Sequence, residues 1–363
     1  MWRKNRRVKV SKKYDLVDVF RVFAAVSVVF IHSWPVGSYS SSVGNVIVAL
    51  SRYAVPFFFI VTGFFVSKSL ARRDDKAEYF RYIKKYVVRI FWLYVIWWVI
   101  YIPNTAVRWS GKNQFASYSG FELYWKLLRS YFLNFFTGST FTGSWYLSAT
   151  ILGVLILFSF RGGERDFIGG VSMILFVGVL LLGNYGKVLL QGDMLNDWVW
   201  IRNHIGNPSQ SFLTSVPLLY IGNLIYRFEN VFNRIDIRWL IIGLIGSSLM
   251  MFKENQLWLR LGGQFENDEM VFGVVFATVL MLIGINSINK AVEVPYSAIL
   301  RKFSSFMYLS QFGVIIGIRL ISNEYQIITN TMTRLYLDLV IILVLFMILH
   351  QLSKKFKQIE YLW

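Results

Sequence analysis

Apolar runs of helical length recur along the whole 363-residue chain, and no polar segment between them is long enough to form a soluble domain. A run that crosses a bilayer needs about 20 residues, and as a helix it closes its own backbone hydrogen bonds where water is absent. Composition agrees: 55% of residues are hydrophobic and only 16% charged, against about 25% charged in soluble domains. The 32 Phe, 20 Tyr and 13 Trp suit packed apolar helices with aromatic belts at the interfaces. The expected fold is all-α, a polytopic transmembrane helical bundle.

In order, the pattern predicts about ten transmembrane helices. They run from about Leu16 to Trp34, Val46 to Val66, Val87 to Ile102, Ser144 to Phe160 and Phe167 to Leu182. The second five run from about Ser211 to Tyr226, Trp239 to Phe252, Met270 to Ile285, Phe303 to Ile321 and Leu335 to Leu352. A basic arm (1–13) precedes a single membrane domain (14–353), and a basic tail (354–363) follows. An aromatic amphipathic piece from Glu122 to Phe136 is expected to lie in the interface or re-enter. With both termini cytoplasmic, 26 of the 38 Lys and Arg fall on the inner side and 8 on the outer, the bias that orients membrane helices.

The formal charge of +18 is thereby a property of loops facing anionic lipid, not a sign of nucleic-acid binding. With no Cys and three His, the chain excludes a thiol nucleophile and a thiolate metal site, and no metal is expected. It carries no His-Glu-x-x-His, phosphate-loop or nucleophile-elbow pattern.

The costliest residues are in the first helix. Arg21 and His32 are eleven positions apart, about 20° beyond three full turns, so they share one face about 16 Å apart along the axis. Ionisable residues at such depth face a bundle interior or a water-filled cavity. Alternatives remain for each: His32 as a hydrated interfacial residue, and Arg21 snorkelling to headgroups or paired with Asp18 at i, i+3. In the second helix Arg52 lies near the outer end, with Pro56 and Gly63 bending or packing the helix. The run Arg81 to Arg89 contains Lys84, Lys85, Tyr86 and Arg89. It reads as a charged cap to the third helix or as a phosphate clamp. Trp145 and Tyr146 open the fourth helix as interfacial aromatics or an acceptor platform. Arg202, Asn203 and His204 form an outer-loop cluster, and His350 reads as interfacial.

These residues resemble the acyltransferase-3 family of bacterial integral membrane O-acyltransferases over nearly the whole chain. The carriers are the Tyr14–Ala24 opening, Arg21-(ten residues)-His32, and Arg52-x-x-Val-Pro56-x-Phe-Phe-x-x-Thr62-Gly63, with Thr62 where Ser is usual. Trp145-Tyr146-Leu147 matches a further motif. Arg202-Asn203 is similar to the subgroup containing the membrane part of vancomycin-resistance serine racemases. Two positions depart: Tyr86 stands where an Arg is usual, with Lys85 beside it, and Gln311, after Tyr308, stands where a late His is usual.

The resemblance implies transfer of an acyl group, acetyl first, from cytoplasmic acyl-CoA as co-substrate to a hydroxyl of an exported glycan or lipid-linked sugar. His32 would be the general base, Arg21 would orient the donor or stabilise the thioester oxygen, and Asp18 would fix Arg21. Lys84, Lys85, Tyr86 and Arg89 would hold the donor, and Arg52, Trp145, Tyr146, Arg202, Tyr308 and Gln311 would line the acceptor side or tunnel. It places the chain in a bacterial plasma membrane among lipids, with no bound cofactor and with an oligomer left open. The competing expectation is a transporter or flippase of glycan or lipid intermediates using Arg21 and His32 as a relay.

Overall fold

The computed structural model describes residues 14–33, 51–105, 117–137, 141, 143–204, 207–261, 271–288, 292–325 and 331–363. The basic arm 1–13 lies outside the described residues. Among the described residues every regular element is helical. The helices are α1 (Asp15–Ser33), α2 (Ala54–Leu70), α3 (Lys76–Ile100), α4 (Gly120–Thr137), α5 (Ser144–Phe158) and α6 (Gly162–Leu189). After them come α7 (Asp193–His204), α8 (Phe212–Arg227), α9 (Ile237–Arg260), α10 (Phe272–Ile288), α11 (Ser297–Tyr325) and α12 (Thr331–Ser353). A 3₁₀ segment, Lys357–Leu362, ends the chain as described.

Among the described residues, four helical stretches are long and apolar enough to cross a membrane: Asp15–Ser33, Gly162–Gly183, Ser297–Tyr325 and Met332–Ser353. Ala54–Leu70, Ser144–Phe158 and Phe272–Ile288 are apolar but shorter. Large apolar side chains such as Ile174 on α6, Leu249 on α9 and Ile348 on α12 remain exposed. Their outward placement suits a lipid-facing surface and would be a liability in water.

Several boundaries differ from expectation. α3 begins eleven residues before the expected Val87, taking in most of the basic stretch read as a loop. The reason is local: Asp75 caps the helix, its carboxylate accepting from the Glu78 N–H at 2.9 Å, and the Asp-x-x-Glu spacing is that of a capping box. α11 likewise begins at Ser297, so Arg301 and Lys302 stand on the helix and not in a loop. The expected outer loop from Gly183 to Pro208 contains the end of α6 and all of α7. α9 continues past Phe252 to Arg260. There Glu254 accepts from the N–H groups of Phe272 and Gly273, both at 3.1 Å, and so caps the free donors at the start of α10.

Two packing relations position the site. α1 runs alongside α11 in the same direction: Asp18 meets Arg301 near their starts, and His32 meets Phe312 and Arg319 further on. α2 runs beside α8 with their backbones nearly touching. A Cβ on Gly63 would fall 2.1 Å from the Leu219 carbonyl oxygen, and one on Gly222 would fall 2.0 Å from that of Ile60. Only glycine allows so close an approach. Ser67 Oγ donates to Asn223 Oδ1 (3.0 Å) across the same seam.

Candidate active site

A cavity of about 270 Å³ opens among α1, α2, α3, α5 and α11, closed on one side by Trp363. Its mouth is cationic: Arg21 from α1, Arg89 from α3, and Arg301 and Lys302 from α11. Its interior is aromatic and apolar, with Phe58 and Phe65 from α2, Tyr86 and Leu93 from α3, Tyr146 from α5 and Tyr308 from α11. Thr62 from α2 lines it too, along with Tyr86 and Tyr146. The Tyr146 and Tyr308 rings meet edge to face at 5.2 Å, and Tyr308 Oη donates to the Gly143 carbonyl at 3.3 Å. Gly143 can hold that turn because its φ of 88° is open to glycine.

Asp18 organises the cations. It is 1% exposed, and Arg301 grips both its oxygens, Nε to Oδ1 at 3.0 Å and Nη2 to Oδ2 at 2.6 Å. Arg21 Nη1 stands 3.4 Å from Oδ1, with its guanidinium 5.2 Å from the Phe65 ring centroid. Asp18 thus meets Arg21 at the i, i+3 spacing, and Arg301 is its closer, bidentate partner. A forked guanidinium matches a carboxylate in this way and orients it. Lys302 has its own counter-ion: its Nζ donates to Glu360 Oε1 at 2.9 Å, and this pairing holds the Glu360 carboxyl below the usual glutamate range. At the same end, outside the α1 span, Tyr14 Oη donates to Glu229 (3.1 Å). Burial and that carboxylate push its phenol well above the ordinary range.

The tail that carries Glu360 folds back onto the bundle. Trp97 Nε1 donates to the Leu362 carbonyl at 3.1 Å, and Trp363 packs on Phe306 and Phe346. A segment read from sequence only as a basic tail thus supplies a wall of the cavity.

His32 is not in that wall. Its ring packs against Phe312, centroids 4.5 Å apart, and its carbonyl accepts from Arg319 Nη2 at 2.8 Å. The next residue, Ser33, donates from Oγ to the buried Asp338 at 2.6 Å. The cavity reaches Tyr308 and Leu309. Phe312 lies one helical turn beyond Tyr308, about 6 Å along the axis. The spacing of Arg21 and His32 therefore does run along one interface, that with α11, but only the Arg21 end opens into the cavity.

The other expected positions divide. Tyr86, Arg89, Tyr146 and Tyr308 line the cavity. Lys85 lines a separate basin with Arg73, Glu78, Arg81 and Tyr82, while Lys84 is exposed and lines neither. Trp145 packs on Phe59, centroids 6.0 Å apart, outside the cavity lining. Gln311 is fully buried and donates to the Tyr308 carbonyl at 2.9 Å. Arg52, in the turn before α2, and Arg202, on α7, are also absent from the cavity lining. Sequence reasoning missed Arg301, Lys302 and Trp363. The spacing 301, 304, 305, 308 falls on one helix face and would have shown the first once α11 was started early enough. Among the described residues no three His, Asp or Glu are grouped to hold a metal ion. A polyanion at the cation cluster, with an apolar arm reaching inward, is what this arrangement can bind.

A family profile described as an acyltransferase domain matches residues 14–351. Among curated proteins, an amino-acid racemase of Enterococcus faecalis is 31% identical over 142 residues, which is 39% of this chain and 18% of the racemase. A serine/alanine racemase of Enterococcus gallinarum is 31% identical over 148 residues, 39% of this chain and 19% of that protein. The match thus spans less than a fifth of either relative's length. No solved structure matches. A profile match over nearly the whole chain places this protein in the acyltransferase-3 family.

Proposed function

We propose that the chain is a multi-pass enzyme of a bacterial plasma membrane that transfers an acyl group, acetyl first, from cytoplasmic acyl-CoA. The acceptor is a hydroxyl of an exported or cell-surface glycan or a lipid-linked sugar. The observation that carries this reading is the cavity itself: four cations at its mouth, answered by the two carboxylates Asp18 and Glu360, above an uncharged aromatic interior. Such a shape suits a ligand with phosphates at one end and an uncharged thioester arm at the other.

Ten spans with both termini cytoplasmic follow from the Lys and Arg bias, and put the cationic mouth on the side where acyl-CoA is made. Arg21, Arg89 and Arg301 bind phosphate as forks and Lys302 as a point charge. The acyl arm extends along α11 toward His32, and Phe312 has to turn aside for the thioester to arrive there. His32 then takes the proton of the acceptor hydroxyl as its oxygen attacks the thioester carbonyl. The new C–O bond forms, the C–S bond breaks, and the thiolate leaves with a proton as free CoA. Arg21, about 16 Å from His32 along the helix, orients the donor and is too distant to serve the thioester oxygen.

The test is purified protein incubated with labelled acetyl-CoA, with and without envelope glycan. Acceptor-dependent release of CoA with label in the glycan supports the reading. A transporter would bind or move glycan and release no CoA, and that result would overturn it.

A further inference from the structure

Beside the cavity lies a second basin, of about 290 Å³, lined by Arg73, Glu78, Arg81, Tyr82 and Lys85. Tyr82 belongs to both, so one phenol ring is the partition between them. The two are written on a single helix. On α3, positions 78, 81, 82 and 85 face the basin, and 82, 86, 89, 90 and 93 face the cavity, both at the i, i+3, i+4, i+7 spacing of one helical face. Arg81, Lys85 and Arg89 thus form a stripe about 12 Å long, with its first two charges in the basin and its third at the cavity mouth.

A cytoplasmic cap on a membrane helix needs cations but no shared basin. Here the basin is built from two elements. Arg73, three residues past the end of α2, is fastened by its Nη1 to the Ser69 carbonyl, and its guanidinium lies 4.4 Å from the Tyr82 ring centroid. Tyr82 in turn stacks beside Tyr86 (6.3 Å, 27°), which is in the cavity. Arg73 is therefore held in place before any ligand arrives, and a preorganised fork loses less on binding.

We propose that this basin is a second phosphate subsite, which takes the ribose phosphate at the nucleotide end of the acyl donor while the cavity mouth takes the diphosphate. The inference rests on the donor reading above and narrows it to a donor with two separated phosphate groups. Arg81 and Lys85 supply charge, Arg73 supplies the fixed fork, and Tyr82 separates the two groups. Glu78 opposes them, since a carboxylate in the basin repels an incoming phosphate.

The experiment compares acetyl-CoA with acetyl-3′-dephospho-CoA as donors for the purified protein and its Arg81→Gln/Lys85→Gln and Glu78→Gln variants. The wild type should show a KM at least about tenfold lower for acetyl-CoA, as expected for loss of a charge-assisted contact. The Arg81→Gln/Lys85→Gln variant should lose that preference: its KM for acetyl-CoA rises to the dephospho value, with kcat and the dephospho KM nearly unchanged. Glu78→Gln should lower the KM for acetyl-CoA by about threefold and leave the dephospho KM alone. Equal KM values for the two donors in the wild type, or a variant that weakens both donors alike, would overturn the subsite while leaving the donor assignment standing. No turnover or binding of either donor by the wild type would overturn the donor reading, and the subsite with it.

Discussion

Replacing Arg301 with Leu tests the pivot of the cation cluster. Asp18 is a buried carboxylate with two charge-assisted bonds from Arg301, at 3.0 and 2.6 Å, and a longer approach from Arg21 at 3.4 Å. Each hydrogen bond to a charged group contributes about 1.5–3 kcal/mol, so removing both would cost up to about 6 kcal/mol if nothing compensated. Two facts lower that figure: Arg301 is 54% exposed, so solvent screens its side of the pair, and Arg21 remains to take up Asp18. The expected cost is about 2–4 kcal/mol. By per-residue unfolding entropies this is about 3–5 °C in Tm for a chain of this length, measured on detergent-purified protein by tryptophan fluorescence. A buried pair also predicts the sign of the double variant. Asp18→Leu/Arg301→Leu removes the stranded charge as well, so it should be more stable than Arg301→Leu alone. A Tm for Arg301→Leu within 1 °C of the wild type, or a double variant at the sum of the singles, would refute the argument.

Two further perturbations probe the frame. Gly63→Ala has to push α2 and α8 apart by about 1.3 Å to bring its Cβ from 2.1 to 3.4 Å of the Leu219 carbonyl. Overpacking against backbone of this kind costs about 1–3 kcal/mol or more, read as lost yield and a lowered Tm. The same variant with wild-type stability would contradict the close approach. Glu360 gives a pH dependence. Lys302 holds its carboxyl below the usual range, so the docked tail gains from the pair above that range and loses it as pH falls through the lowered value. Amide exchange over residues 357–362 should be faster in Glu360→Gln than in wild type at neutral pH, with the difference vanishing in acid; equal rates at neutral pH would count against the pairing.

How much the sequence revealed depended on whether the signal was local. Run length and charge bias carried the all-helical membrane character, because a bilayer imposes them segment by segment. The Arg21–His32 spacing showed a shared face, since 3.6-residue periodicity is local. What that face meets is not local: Arg301 lies 283 positions from Asp18, and no periodicity links them. The tail was read only as basic because Lys354, Lys355 and Lys357 dominate it, whereas Trp363 and Glu360 tie it down through long-range contacts. The early start of α3 was legible in Asp75 and Glu78, but the basic run masked it. Tyr86 stands where the motif has an Arg, while Arg21, Arg301 and Lys302 bring charge to the same cavity from two other helices.

His32 remains the centre of the account, seated on Phe312 beyond the end of the cavity. The most direct measurement is a comparison of wild type and His32→Ala for two quantities in one preparation: acetyl-CoA affinity and the rate of label transfer to envelope glycan. On the proposed reading, loss of the general base lowers the rate by about 10²–10⁴-fold, and acetyl-CoA affinity should stay within twofold because that reading puts the donor's phosphates at the other end of α1. Transfer by His32→Ala at a near-normal rate, with donor binding intact, would contradict the assignment of the chemistry to that residue.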